Sequence, residues 1–262
     1  MKNNDDRLSY NMKQLKKYKK ILNKTVKSIG DCTDHLYKEG WAEASSGNLS
    51  IDVSNSIPGK KIKNEQWLLI TRSGCRFRET ARRPWNDVLL IRTGSKKGIR
   101  IEYSGKKNAR PTSELPTHKL IHDFYRKKKT RGTAVIHTHP TYIIALTHLK
   151  DYRQTDILNR LLVSIHPEIK AFIPEGVGFV PYLPPGSERI AVATQNAIEK
   201  HRVIIWEKHG CIAVADDLDR ALDLIMIMEK AARIFFIARS AGFDLQELSQ
   251  QQVDDLTNIK KR

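Results

Sequence analysis

Short apolar runs of strand length, each closed off by polar or turn residues, recur along the chain. They are LSIDV (49–53), WLLIT (67–71), VLLI (88–91), AVIHTH (134–139), VIIW (203–206) and IAV (212–214). Runs this short and this rich in β-branched residues predict strands, and several are apolar on both faces, as in a sheet covered on each side. Arg100 to Tyr103 alternates like a half-buried strand, and 172–180 predicts a strand broken by Pro174, Gly176 and Gly178. Helical spacing of apolar residues predicts helices over 11–38, 114–129, 155–163, 190–200 and 217–241. Gly40 and Gly242 supply stop signals, Ser187 and Asp217 supply caps, and Pro140 opens a further helix. Segments 57–65, 104–113 and 181–188 predict loops or connectors. Strands and helices mix without a strict βαβ alternation, a repeat or a break in composition. The expectation is one α/β domain over residues 1–262 with a mixed sheet. The GVG at 176–178 is too short for a dinucleotide-binding fingerprint.

Composition narrows the class. Hydrophobic residues make up 40% of 262 residues, enough for a substantial core. No apolar run approaches the about eighteen residues that a membrane-spanning helix needs. The three cysteines, Cys32, Cys75 and Cys211, are far apart and form neither a disulfide framework nor a metal knuckle. The opening MKNNDDRLSY has no apolar stretch of the kind a secretory leader carries, so a cytoplasmic location is expected. Lys plus Arg is 46 against 29 for Asp plus Glu, a formal charge of +17. Much of the excess lies in 13–27, 126–131 and 260–262. None of these stretches interleaves base-stacking aromatics, so a solvated basic surface is expected in preference to nucleic-acid binding, and no membrane partner is expected.

The sharpest chemical feature is His137-Thr138-His139 at the end of a predicted strand. Positions i and i+2 on a strand share a face, so the two imidazoles converge, and a metal or a hydrogen-bonded pair would both fit them. His209 follows VIIW and precedes Gly210, at a predicted strand-to-strand turn. As a third histidine it would complete a site with a coordination position open to substrate. His118 and His122, at i and i+4, read as a packed helix face, because Lys119 stands where a zinc-protease helix has glutamate. Glu114, in the first turn of a predicted helix, complements the helix dipole or serves as a general base or metal ligand. Three small polar loops have anion-cradling chemistry: Ser45-Ser46-Gly47-Asn48, Ser73-Gly74 and Thr112-Ser113. Together with a candidate metal site they point to a phosphorylated substrate.

The motifs SSGNLS, ITRSG, PTSELPTH, VIHTHP and EKHGCIAV, in this order and spacing, resemble the class II aldolase/adducin family from about residue 30 to residue 245. Within the family, GWAE (40–43), PTSELP (111–116) and IPEGVGFVPYLPPGS (173–187) are most similar to the bacterial branch acting on rhamnulose 1-phosphate. Ser45 and Ser46 stand where that branch has an asparagine–glycine pair. The resemblance implies a three-layer α/β/α sandwich around a mainly antiparallel mixed sheet. It implies one Zn2+ per subunit on His137, His139 and His209, with Glu114 as catalytic acid/base and Glu168 as a second active-site carboxylate. Ser45, Gly47, Asn48, Ser73, Gly74, Thr112 and Ser113 match phosphate-binding positions. The implied reaction is retro-aldol cleavage of a phosphorylated ketose, L-rhamnulose 1-phosphate, to dihydroxyacetone phosphate and L-lactaldehyde, by a homotetramer with interface active sites. Sister reactions on fuculose, ribulose or methylthioribulose phosphate share the three histidines. A non-catalytic adducin-like scaffold is the alternative of a different class, and it would be expected to have lost them.

Overall fold

The computed structural model describes residues 2–58, 65–95, 98–129 and 133–259, with the side chains of 2–15, 95 and 257–259 left aside. The basic stretch at 260–262, part of the one at 126–131 and most of the 57–65 loop lie outside the described residues. An eight-stranded sheet forms the middle layer. Its strands are β1 (Asn48–Asp52), β2 (Gln66–Thr71), β3 (Val88–Ser95), β4 (Gly98–Ser104), β5 (Ala134–Thr138), β6 (Gly178–Val180), β7 (Val203–Trp206) and β8 (Gly210–Ala215). They lie in the order β4-β3-β2-β1-β5-β8-β7-β6. Every pairing is antiparallel except β6 with β7.

The central strands are buried on both sides, which explains their unbroken apolar runs. Leu49, Ile51, Leu69, Ala134, Ile136, Val203, Ile205 and Ala213 face one core. That core is covered by α1 (Lys2–Lys38), α5 (Thr141–Leu146), α6 (Thr155–Ile165), α7 (Glu168–Phe172) and α9 (Leu218–Ser240). Val135, Ile204, Trp206, Ile212 and Val214 face the other way, beneath α4 (Leu115–Lys127) and α8 (Glu188–Ile198). Period-two alternation therefore feeds both layers, and the expected α/β/α sandwich around a mainly antiparallel sheet is what forms.

Most expected elements are in place. On α1, Tyr18, Leu22, Val26, Ile29 and Leu36 are buried while Lys16, Lys17, Lys20, Lys24 and Lys27 are exposed, so the basic stretch is a solvated helix face. Ser187 accepts from Ile190 N–H and Asp217 from Arg220 N–H, capping α8 and α9. The described residues contain no helix long and apolar enough to cross a membrane.

One expectation fails in part. Of the strand expected over 172–180, only Gly178–Val180 forms, and Phe172 instead ends the unexpected helix α7 (Glu168–Phe172). Pro167 turns the chain into a helical conformation, and Ile169 and Ile173, four apart, bury one apolar side. The short helices α2 (Phe77–Arg82), α3 (Pro84–Asp87) and α10 (Gln250–Ile259) were not expected.

Glu229 on α9 shows how the layers are fastened. Its buried carboxylate accepts from the backbone N–H groups of Tyr142 and Ile143, each at 2.9 Å, in the first turn of α5. This pins the chain just after His139. Replacing Glu229 with Leu leaves both N–H groups without an acceptor in the interior. We expect a loss of about 2–4 kcal/mol, read as a lowered urea midpoint with unchanged slope.

Candidate metal centre

His137 lies on β5, flanked by Asn48 on β1 and Ile212 on β8. Its face is the one that Val135 shares, beneath α4. His139 follows two residues later on the same face, held by its backbone N–H donating to the Trp41 carbonyl at 2.8 Å. His209 sits in the β7–β8 hairpin, where Lys208 adopts φ 58° and Trp206 pairs with Gly210. Gly210 cannot carry a side chain, since a Cβ there would lie 2.3 Å from the Thr138 carbonyl oxygen. That close approach brings the hairpin against β5 and sets His209 beside the other two. The His209 ring stacks on Trp206 at 5.1 Å between centroids, and His137 packs on the same indole at 4.6 Å.

One nitrogen from each of the three rings converges, all within 4.8 Å of one another. The His137 and His139 Nε2 atoms are 3.2 Å apart. That is close to the spacing of about 3.3 Å between two ligand nitrogens on a tetrahedral zinc. The outer nitrogens are partly fixed. His137 Nδ1 donates to the Cys211 carbonyl at 2.9 Å, and His139 Nδ1 donates to Glu43 Oε1 at 2.8 Å. Each bond leaves the Nε2 lone pair aimed inward, the usual arrangement around a metal-bound histidine. His209 Nδ1 is buried without a hydrogen-bond partner among the described residues. Burial, and then the neighbouring imidazoles, hold His137 well below the usual histidine range, and burial with His139 pulls His209 down to about 4. His137 and His209 thus offer neutral nitrogen donors, and with the inward Nε2 of His139 the donor set fits a divalent metal.

Glu114 faces the histidines. It occupies the N-cap position of α4, and its carboxylate does not cap the helix. Oε2 lies 3.5 Å from His137 Nε2 and Oε1 lies 3.8 Å from His209 Nε2. Asn48 Nδ2 donates to Oε2 at 3.1 Å. Burial pushes the Glu114 carboxyl up to about 7, with the Asn48 bond opposing.

A cavity of about 280 Å³ opens over this group. The three polar loops read from the sequence all line it: Ser45, Ser46, Gly47 and Asn48, then Ser73 and Gly74, then Thr112 and Ser113. Gly47, at φ +75°, also lies where a Cβ would meet the Phe77 ring at 3.2 Å. Glu168 is not brought here. It begins α7, half-exposed, and pairs with His166 at 2.8 Å.

Sequence reasoning missed Arg72. Its guanidinium lines the cavity, pairs with the buried Asp87 at 2.7 Å and donates to the Ser73 carbonyl at 2.9 Å. The Ser73–Gly74 turn is thereby clamped to the end of α3. Ser73 N–H donates to the Arg110 carbonyl and Thr112 N–H to the Thr71 carbonyl, so two of the polar loops are tied together. Arg72 stands inside ITRSG, but its partner fifteen positions on carries no local signal. Glu43 likewise stands inside GWAE without a role that the sequence could assign.

The sequence pattern of the Class II Aldolase and Adducin N-terminal domain matches residues 27–236. The chain belongs to the class II aldolase and adducin family. A rhamnulose-1-phosphate aldolase from Bacteroides thetaiotaomicron is 32% identical, covering 94% of this chain and 97% of that protein. One from Listeria monocytogenes is 28% identical, covering 88% of this chain and 91% of that protein. The crystal structure of a sugar-phosphate aldolase from Thermotoga maritima superposes with a TM-score of 0.76 at 30% identity, over 86% of this chain and 98% of its own. The family membership, the α/β fold and the expectation of a class II aldolase enzyme all stand.

A three-histidine centre of this kind has a simple thermal signature. Zn2+ at about a hundred times its dissociation constant should stabilise the chain by about 2.7 kcal/mol, a rise in Tm of about 5–10 °C. The rise should saturate at one ion per chain and disappear in His137→Ala, as measured by calorimetry with parallel metal analysis.

Proposed function

We propose that this enzyme cleaves L-rhamnulose 1-phosphate to dihydroxyacetone phosphate and L-lactaldehyde. The observation that carries the proposal is a single cavity that sets a buried carboxylate, Glu114, between a three-histidine cluster and three anion-cradling loops. The named relatives at similar full length favour this substrate over other phosphosugars. In this reading His137, His139 and His209 hold one Zn2+ per subunit. Bound there, the ion supplies Lewis acidity that polarises the ketose carbonyl, so that the adjoining carbon can carry the electron pair of the broken bond.

The chain's own groups do the rest. Ser45, Gly47, Asn48, Ser73, Gly74, Thr112 and Ser113 hold the phosphate through hydroxyl, amide and backbone N–H donors. Arg72, anchored on Asp87, keeps the Ser73–Gly74 turn in place and adds positive charge to the wall. Cleavage leaves electrons on the carbon next to the ketone, while the departing carbon becomes the aldehyde as its hydroxyl gives up a proton. Glu114, raised to about 7 by burial, is suited to deliver a proton to the electron-rich carbon and complete dihydroxyacetone phosphate. Glu168 acts at the aldehyde end. Since it lies on the surface of its own subunit, it does so across a boundary within a cytoplasmic homotetramer.

The test is release of dihydroxyacetone phosphate from L-rhamnulose 1-phosphate by zinc-loaded protein, with a chelator control. Glu114→Gln should lower kcat by about 10²–10⁴-fold while zinc content stays the same. Release from L-fuculose 1-phosphate in preference would move the substrate to a sister sugar. No chelator-sensitive release from any ketose phosphate would overturn the proposal.

A further inference from the structure

Behind Glu114 runs a chain of buried polar groups that the three-histidine centre does not use. Asn48 Nδ2 donates to Glu114 Oε2 at 3.1 Å. On its other side, Asn48 Oδ1 meets His118 Nε2. His118 Nδ1 lies 2.7 Å from Ser50 Oγ, and Ser50 Oγ lies 2.7 Å from His122 Nε2. His118, Ser50 and His122 are at most 1% exposed and Asn48 is 7% exposed. The i, i+4 histidines of α4 are therefore not a plain packed face. They reach down to β1, whose residues 48 and 50 share the face beneath the helix.

With the Ser50 hydroxyl donating to one ring and accepting from the other, such a chain runs in one of two directions while its rings are neutral, and burial keeps them neutral, holding His118 down to about 3 and His122 to about 4. In one direction His122 Nε2–H donates to Ser50, the Ser50 hydroxyl donates to His118 Nδ1, and His118 Nε2–H donates to Asn48 Oδ1. Asn48 then shows its N–H to Glu114. In the other, every bond reverses and Asn48 shows its carbonyl to Glu114. The far end decides between them. His122 Nδ1 is buried and has no hydrogen-bond partner among the described residues. The first direction leaves a lone pair at that nitrogen; the second leaves an N–H. A buried donor without a partner is the rarer and more costly defect. Polarisation along the bonds also favours one shared direction over a mixture.

We propose that His118 and His122, relayed by Ser50, are positioning residues that lock the Asn48 amide with its N–H toward Glu114. Resting on the aldolase reading, this makes the relay the device that keeps a donor, and not an acceptor, against the acid/base and the phosphate loop. His118→Gln keeps an N–H donor at similar reach; His118→Phe removes it and leaves Asn48 free to turn.

Two measurements decide. Long-range ¹H–¹⁵N correlation on the full chain labelled at histidine should show His118 and His122 as neutral Nε2–H tautomers. An Nδ1–H tautomer or an imidazolium at either ring overturns the proposal, and this readout needs no variant and no substrate. In the cleavage assay His118→Phe should lose at least about tenfold in kcat/KM, and His118→Gln should stay within about threefold of the parent. Equal losses in the two variants, or none in either, would mean that the rings serve packing alone. If the parent chain cleaves no ketose phosphate, the functional reading falls while the tautomers still decide the relay.

Discussion

The register of β5 between its two neighbours is the constraint on which the site depends. His137 stands opposite Asn48 on β1 and opposite Ile212 on β8. A slip of one residue would turn His137 and His139 toward the α1/α9 core and drive Ile136 into the cavity. The apolar residues on either side of His137 prevent this. Ala134 and Ile136 are fully buried on one face and Val135 on the other, so no alternative register keeps both cores filled. The geometry of the histidines is thus inherited from hydrophobic packing.

A continuous set of buried polar groups gathers in one seam of that packing. Asn48, Ser50, Glu114, His118, His122 and His137 are all buried, yet they adjoin one another between β1, β5 and α4. Burying polar groups is tolerable where each finds a partner. Most of these atoms do, and the exceptions are informative. His122 Nδ1 sits at the end of the relay, and His209 Nδ1 is the one outer nitrogen of the cluster that no carboxylate or carbonyl fixes.

The parts of the site that could be read from the sequence are those set by local periodicity. The HxH pair is legible because a strand repeats every two residues, and His209 because an apolar run and a glycine announce a hairpin. The small polar loops are legible from their composition. What could not be read depends on distant partners. Arg72 needs Asp87, and His118 needs Ser50 and Asn48 on a strand far away in the chain. Glu168 shows the complementary limit: a sequence motif can suggest a role, but within one chain it lies apart from the cavity. The helix at 168–172 is not legible, and Phe172 reads as strand, because five residues with a single buried stripe carry too little periodicity among prolines and glycines.

The central placement of β5 has a consequence for how such a protein can diversify. The three histidines are built into the middle of the sheet or a hairpin clamped to it, where nearly any substitution disturbs the folding core. Ser45, Ser73 and Ser113 are exposed residues on loops at the rim, where changes leave the core intact. Selection can therefore exchange what the rim recognises while the centre is inherited unchanged. New specificities on this scaffold are reached by altering its margin, and the chemistry at its centre is the part least free to drift.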